Sequence, residues 1–197
     1  MRPPPNAALA AVTGAKPTAM AHPFRPALDL LSQYAETHRD RRNIATHFVG
    51  VPMIVFALGV LLSHPAVEVS GWLLTPAWGV CAGAMCWYLT RGEWLLGVAT
   101  SATVALLVLL AHQLPGGVGP WLGWGLGCFV VGWVVQFVGH YYEGRRPALV
   151  DDFTGLLVGP MFVVMEALAL VGAFRRLVAD IERRAGPTLL RNLAHPA

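Results

Sequence analysis

Two polar clusters interrupt an otherwise apolar chain, and they hold its candidate chemistry. The first runs from Tyr34 to Pro52, YAETHRDRRNIATHFVGVP, and carries His38 and His47; the second, Gln136-Phe137-Val138-Gly139-His140-Tyr141-Tyr142-Glu143, carries His140. Three imidazoles, with or without a carboxylate, suit iron or zinc. Zinc would act there as a Lewis acid or hydroxide source, and ferrous iron with open positions would activate oxygen. Spacing does not choose between them. On one continuous helix His38 and His47 would point about 180° apart and lie about 13 Å apart along the axis. They can share an ion only if the chain bends between them, and the charged break Arg39-Asp40-Arg41-Arg42-Asn43 offers the bend. The bland alternative is a pair of interfacial histidines touching headgroups, and spacing leaves both readings open.

The second cluster ends an apolar stretch whose Gly125, Gly132, Gln136, Gly139, His140 and Glu143 fall within an arc of about 100° on a helical wheel. Small residues on one stripe let a neighbouring helix approach closely, and polar residues on that stripe face the bundle interior. Gly125 and Gly132 read as a packing seam; His140 and Glu143, one turn apart, read as ligands. Asn43 and Gln136 are either donors that orient a ligand or, respectively, a helix cap and an interhelical hydrogen bond. Arg145 and Arg146 can hold a carboxylate or can simply mark the inner membrane face. Glu166 lies in an apolar run, where burial is costly, and points to function or a close partner. Asp151 and Asp152 read as caps of the segment that follows. His22, His64, His112 and His195 have no clustered partners, and the chain has no nucleotide-binding glycine loop, GxSxG or HExxH.

The elements that must position these residues are membrane spans. Of 197 residues, enough for one domain, 55% are hydrophobic and only 13% charged, against about 25% charged in soluble domains. The net charge of +3 is small and gathered at the ends, which excludes nucleic acid and suits anionic headgroups. Cys81, Cys86 and Cys128 lie in apolar runs without metal-type spacing and read as small buried residues. Residues 1–26 are expected to be a disordered leader, 27–176 a membrane-embedded catalytic domain and 177–197 a basic tail. An amphipathic helix over Ala27–His38 should lie on the membrane surface. Apolar spans are expected over Phe48–Val67, Trp72–Thr90, Trp94–Leu114 and Trp121–Val138, with Trp72, Trp94 and Trp121 at interfaces. Basic residues fall before the first span and after the second and fourth, which puts the N terminus and all three histidines inside. A fifth full span over Phe153–Phe174 would send five later arginines outside, so a re-entrant hairpin breaking at Gly159-Pro160 is preferred. The fold class is an all-α integral membrane helical bundle: four spans plus a re-entrant or fifth hydrophobic segment, with an N-terminal interfacial helix.

Tyr34, His38, Asn43, His47, Gly50 and Pro52 form one signature. Gln136, Gly139, His140, Glu143, Pro147 and Ala148 form a second, and Gly159-Pro160 with Glu166 a third. In this order around hydrophobic spans they resemble the membrane-bound 2-hydroxy fatty acid dioxygenases, from about Leu28 to Arg176. The resemblance implies iron(II)-dependent alpha-oxidation: a 2-hydroxy fatty acid and O2 give the acid one carbon shorter and CO2, with the acyl tail among the spans. It implies His38, His47 and His140 as iron ligands, with zinc the lesser alternative. Glu143, Asn43 and Gln136 become catalytic or ligand-orienting residues, and Arg145, Arg146 and Tyr34 substrate-binding ones. The expected partners are the fatty acid, O2 and the lipid bilayer, with self-association into a homo-oligomer left open. An Arg- and Ala-rich composition points to a bacterial source and the inner membrane; a eukaryotic chain would sit in the endoplasmic reticulum. Two other readings stand beside this one. A metal-dependent lipid hydrolase or hydroxylase is separated by oxygen consumption, and a non-enzymatic metal-binding protein by metal content without turnover.

Overall fold

Helix α2 (Arg41–Leu61) and helix α5 (Val118–Glu143) run antiparallel along a seam of glycines, and this pair is the spine of the protein. In the computed structural model, which describes residues 24–114, 116–145 and 154–193, a Cβ at Gly132 would sit 2.8 Å from Ile54 and 3.1 Å from the Gly50 carbonyl oxygen. Gly139 faces Asn43 and Thr46 in the same way, and Gly125 faces Leu61. The buried residues of α5 are Gly125, Gly132, Gln136, Gly139, His140 and Glu143, the stripe that its helical wheel predicts. The rest of α5, including Leu126, Val130, Val134 and Phe137, is exposed and apolar, as a lipid-facing surface requires.

Around the spine stand α1 (Ala27–Ala35), α3 (Pro76–Leu89), α4 (Trp94–Ala111), α6 (Thr154–Leu170) and α7 (Arg175–Ala185). Helices α2, α4 and α5 are each long and apolar enough to cross a membrane. The pair α6 and α7 passes the same test jointly but is bent by 119°. The chain is therefore an all-α membrane bundle. The backbone N–H of Ala27 donates to the Arg91 carbonyl at 2.8 Å, so the α3–α4 turn lies at the same end as α1 and the charged Arg39–Arg42 bend.

Several sequence expectations need correction. Asn43 does not cap α2: Asp40 does, its side chain accepting from the Arg42 N–H at 2.8 Å, while the Asn43 side chain turns inward. The second apolar run begins as a hairpin, β1 (Val67–Val69) pairing antiparallel with β2 (Trp72–Leu74). Ser70 and Gly71 at positive φ make its two-residue turn, and the helix starts only at Pro76, a residue suited to a first helical turn. Helix α1, expected at the membrane surface, packs Ala27, Leu30, Leu31, Tyr34 and Ala35 into the core, against α6 and α7. The chain does not reverse at Gly159-Pro160. Helix α6 runs through Pro160 and ends where Gly172 and Phe174 take positive φ, with the Ala173 N–H closing on the Leu168 carbonyl, a glycine-based helix stop. Cys81 is buried, but Cys86 is exposed. The expectations for Arg146, Asp151, Asp152, His22, His195 and the leader up to residue 23 lie outside the described residues.

Candidate metal centre

Between α1 and α2 the chain turns sharply over residues 36–40, and the turn brings His38 back against the first turns of α2. His47 sits two turns into α2, and His140 is one turn from the end of α5. The three rings meet with centroid separations of 4.5, 4.9 and 5.3 Å. One ligand atom from each lies within 4.8 Å of the others, and all three residues are buried.

The hydrogen bonds fix which nitrogens are free. His38 Nδ1 donates to the Tyr34 carbonyl at 2.7 Å, and His47 Nδ1 donates to the Asn43 carbonyl at 2.8 Å. With both Nδ1 atoms protonated, both Nε2 atoms carry lone pairs, and these face one another at 3.0 Å. Two acceptors so placed repel unless a cation lies between them. His140 Nδ1 is buried without a hydrogen-bond partner, and a cation would satisfy it as well. Burial holds His38 well below its ordinary pKa, and repulsion by His47 and then His140 adds to the shift. The neutral imidazole that results is the form that binds metal. Three neutral nitrogens with room beside them fit a divalent first-row metal with open positions.

A clamp holds the turn. The Glu143 carboxylate accepts from the Arg39 N–H with both oxygens at 3.1 Å, from the Asp40 N–H at 2.9 Å and from Asn43 Nδ2 at 3.1 Å. Asn43 Nδ2 also reaches the Thr37 carbonyl at 3.2 Å. Glu143 and Asn43 are thus brought to the centre, but both Glu143 oxygens are engaged by the backbone of the bend. Residues 186–193, set apart in the sequence as a tail, return over this end. Leu189 exchanges backbone hydrogen bonds with Arg39 and Arg41, and Arg191 donates from its N–H to Asp40 and from its guanidinium to the Glu143 carbonyl.

A cleft of about 50 Å³ opens beside the rings, bordered by Tyr34, His47, Trp133, Gln136, His140 and Gly159 among others. Gln136 is buried, and its Oε1 has no partner. Tyr34 stacks on His38 at 3.9 Å between centroids. Arg145 is exposed and outside the cleft lining. Glu166 is near Arg39, with which it is electrostatically coupled; helix α6 has reached the polar end there. Sequence reasoning missed Phe162, which packs against both Tyr34 and His38. It also missed Trp133, whose position one turn before Gln136 was the available signal.

The family described as 2-hydroxy-palmitic acid dioxygenase Mpo1-like matches residues 24–171. The chain is 34% identical over 160 residues to the 2-hydroxy-palmitic acid dioxygenase MPO1 of Saccharomyces cerevisiae, covering 79% of this chain and 88% of that protein. No solved structure matches it. The family match spans both polar clusters and the turn that joins His38 to α2, so the chain belongs to the Mpo1-like 2-hydroxy-palmitic acid dioxygenase family.

Proposed function

We propose that this protein is an iron(II)-dependent dioxygenase that converts a 2-hydroxy fatty acid and O2 to the fatty acid one carbon shorter, CO2 and water. The reading is carried by one observation: three buried imidazoles converge, two of them with Nε2 atoms 3.0 Å apart. Family membership supports it. His38, His47 and His140 hold the metal. Ferrous iron there supplies oxygen activation and Lewis acidity; zinc fits the same donors but does not activate oxygen.

The remaining residues bind and position. Backbone carbonyls of Tyr34 and Asn43 lock the His38 and His47 tautomers. Gln136 and Tyr34 border the cleft and meet the substrate's polar head, the Gln136 amide donating to carboxylate oxygens and its free Oε1 accepting from the 2-hydroxyl. Apolar walls at Val51, Ile54 and Trp133 keep water from the reacting carbons. Arg145, exposed at the end of α5, attracts the carboxylate at the membrane surface. The end bearing Arg39, Arg41, Arg42 and Arg91 faces the cytoplasm, by the positive-inside rule, and carries the metal centre.

The test is anaerobic purification, metal analysis and addition of 2-hydroxypalmitate with O2. Expected are bound iron, oxygen uptake and release of the shortened acid with CO2. Turnover without oxygen uptake would point to a hydrolase, and bound metal without turnover to a metal-binding protein.

A further inference from the structure

The cleft beside the histidines has a neighbour. A second cavity, of about 110 Å³, lies further along α2 between α2, α3, α4 and α6. The two cavities share three wall residues, Val55, Leu156 and Pro160. Pro160 carries no N–H, so α6 lacks one ladder bond at this wall. The chemistry changes across it. On the histidine side two buried polar atoms, Gln136 Oε1 and His140 Nδ1, have no partner. On the far side the walls are apolar apart from Cys81 and Tyr88.

We infer that the two cavities are the head and tail compartments of one acyl-binding site, with Val55 and Leu156 as the gate, and that the far chamber takes the distal carbons of long chains. This rests on the function proposed above, and it adds the residues that measure chain length. Distances along α2 support the assignment. From His47 to the gate at Val55 is about 12 Å, and from His47 to Leu62 at the chamber's end is about 22 Å, at 1.5 Å per residue. A hydrocarbon core of about 30 Å is built from two leaflets of long acyl chains, so one such chain needs about 15 Å. A medium chain held at the histidines ends before the gate, and a palmitoyl-length chain passes it. With only Cys81 and Tyr88 polar, the chamber offers water fewer partners than an ordered water needs. An acyl tail fills it at no polar cost.

Two measurements test this in the full-length protein. The first needs no turnover. With Cys86→Ser and Cys128→Ala removing the other thiols, a membrane-permeant maleimide reports on Cys81 in the chamber wall. Palmitic acid is expected to slow labelling, and octanoic acid to leave it unchanged. The second fills the chamber from two sides, with Ala84→Phe on α3 and Val104→Phe on α4. Each should lower turnover of 2-hydroxypalmitate relative to 2-hydroxyoctanoate by about tenfold or more, the discrimination that one or two methylenes give in an apolar site. Labelling that palmitic acid does not slow, or that octanoic acid slows equally, would overturn the two-compartment site. So would an unchanged chain-length ratio in both Phe variants. Labelling that is slower in lipid vesicles than in lipid-free detergent, with no acid added in either, would mean that bilayer lipid occupies the chamber, which also overturns it. If neither acid is turned over but palmitic acid protects Cys81, the acyl site stands and the proposed reaction falls.

Discussion

Glu143, at the end of α5, grips the backbone N–H of Arg39 with both carboxylate oxygens at 3.1 Å, although the two residues are 104 positions apart. The same carboxylate takes the Asp40 N–H and Asn43 Nδ2. The bend that presents His38 is therefore fastened to the helix that presents His140. Glu143→Ala strands the buried Arg39 and Asp40 N–H groups, each costing about 1–3 kcal/mol when unsatisfied, and leaves Asn43 Nδ2 with the Thr37 carbonyl alone. A net loss of about 3 kcal/mol is expected, seen as a lower unfolding midpoint. Metal affinity should fall about 10- to 100-fold, as when an outer partner of a metal ligand is removed. Glu143→Gln keeps an acceptor and should recover part of both. A folded Glu143→Ala protein that binds metal like wild type would show that the clamp does not position His38.

The clamp also shows what a sequence can and cannot reveal. The stripe of Gly125, Gly132, Gln136, Gly139, His140 and Glu143 is legible because helical geometry fixes which residues share a face, and these are the buried residues of α5. The bend after His38 is legible because charged residues interrupt an apolar run. The Glu143 oxygens are not, since apart from Asn43 Nδ2 their partners are backbone N–H groups, which every residue but proline carries. The course of α6 misled for a related reason. Pro160 signals a break by its own chemistry, yet packing against α2 and α4 carries the helix through, and the stop falls at Gly172. The return of Leu189 and Arg191 over the bend is made through backbone pairing and a backbone N–H on the Asp40 carboxylate, and a backbone donor leaves no pattern in residue types.

Two kinds of glycine on α5 give a contrast within a single helix. A Cβ at Gly132 would meet Ile54 at 2.8 Å and the Gly50 carbonyl oxygen at 3.1 Å, whereas at Gly123 and Gly127 it would meet nothing within 4 Å. Gly132→Ala should force α2 and α5 apart at a cost of about 1–3 kcal/mol. Because His47 and His140 sit on those two helices, turnover should drop by up to about 100-fold, the penalty for a misplacement of about 1 Å. Gly123→Ala and Gly127→Ala should instead stabilise by about 0.5–1 kcal/mol, the helix preference of alanine over glycine. Unfolding midpoints of the three variants in matched detergent check both signs.

Asp40 ties α2 to the C-terminal segment, and acid should undo the tie. Its carboxyl is lowered from 3.8 to about 2, chiefly by the Arg42 side chain and further by the backbone N–H groups of Arg191 and Arg42, against the opposing effect of burial. Between those two values the unfolded chain binds more protons than the folded one. The stability that Asp40 contributes is therefore complete above pH 3.8 and lost as pH falls toward about 2. Asp40→Asn should flatten the stability curve across that window, and Asp40→Ala should cost about 1 kcal/mol at neutral pH through loss of the cap. Denaturant unfolding at a series of pH values reads both. An acid limb that persists in Asp40→Asn would assign it to another carboxylate.

The facing Nε2 atoms of His38 and His47 make metal removal a structural perturbation as well as a functional one. Each Nδ1 is committed to a backbone carbonyl, so neither ring can turn to offer the other a proton without giving up a buried hydrogen bond. Without a cation the two lone pairs confront each other at 3.0 Å, and with one they become ligands. Metal at about 100 times its dissociation constant adds about 2.7 kcal/mol to the folded state. For a chain of this length each kcal/mol moves the midpoint by about 2–4 °C. Chelation should therefore lower the wild-type midpoint by about 5–11 °C, and readdition of iron(II) should restore it. In His47→Ala the repulsion is gone and so is the ligand, and neither chelator nor iron should move the midpoint. A chelator shift of equal size in that variant would place the stabilising metal elsewhere in the protein.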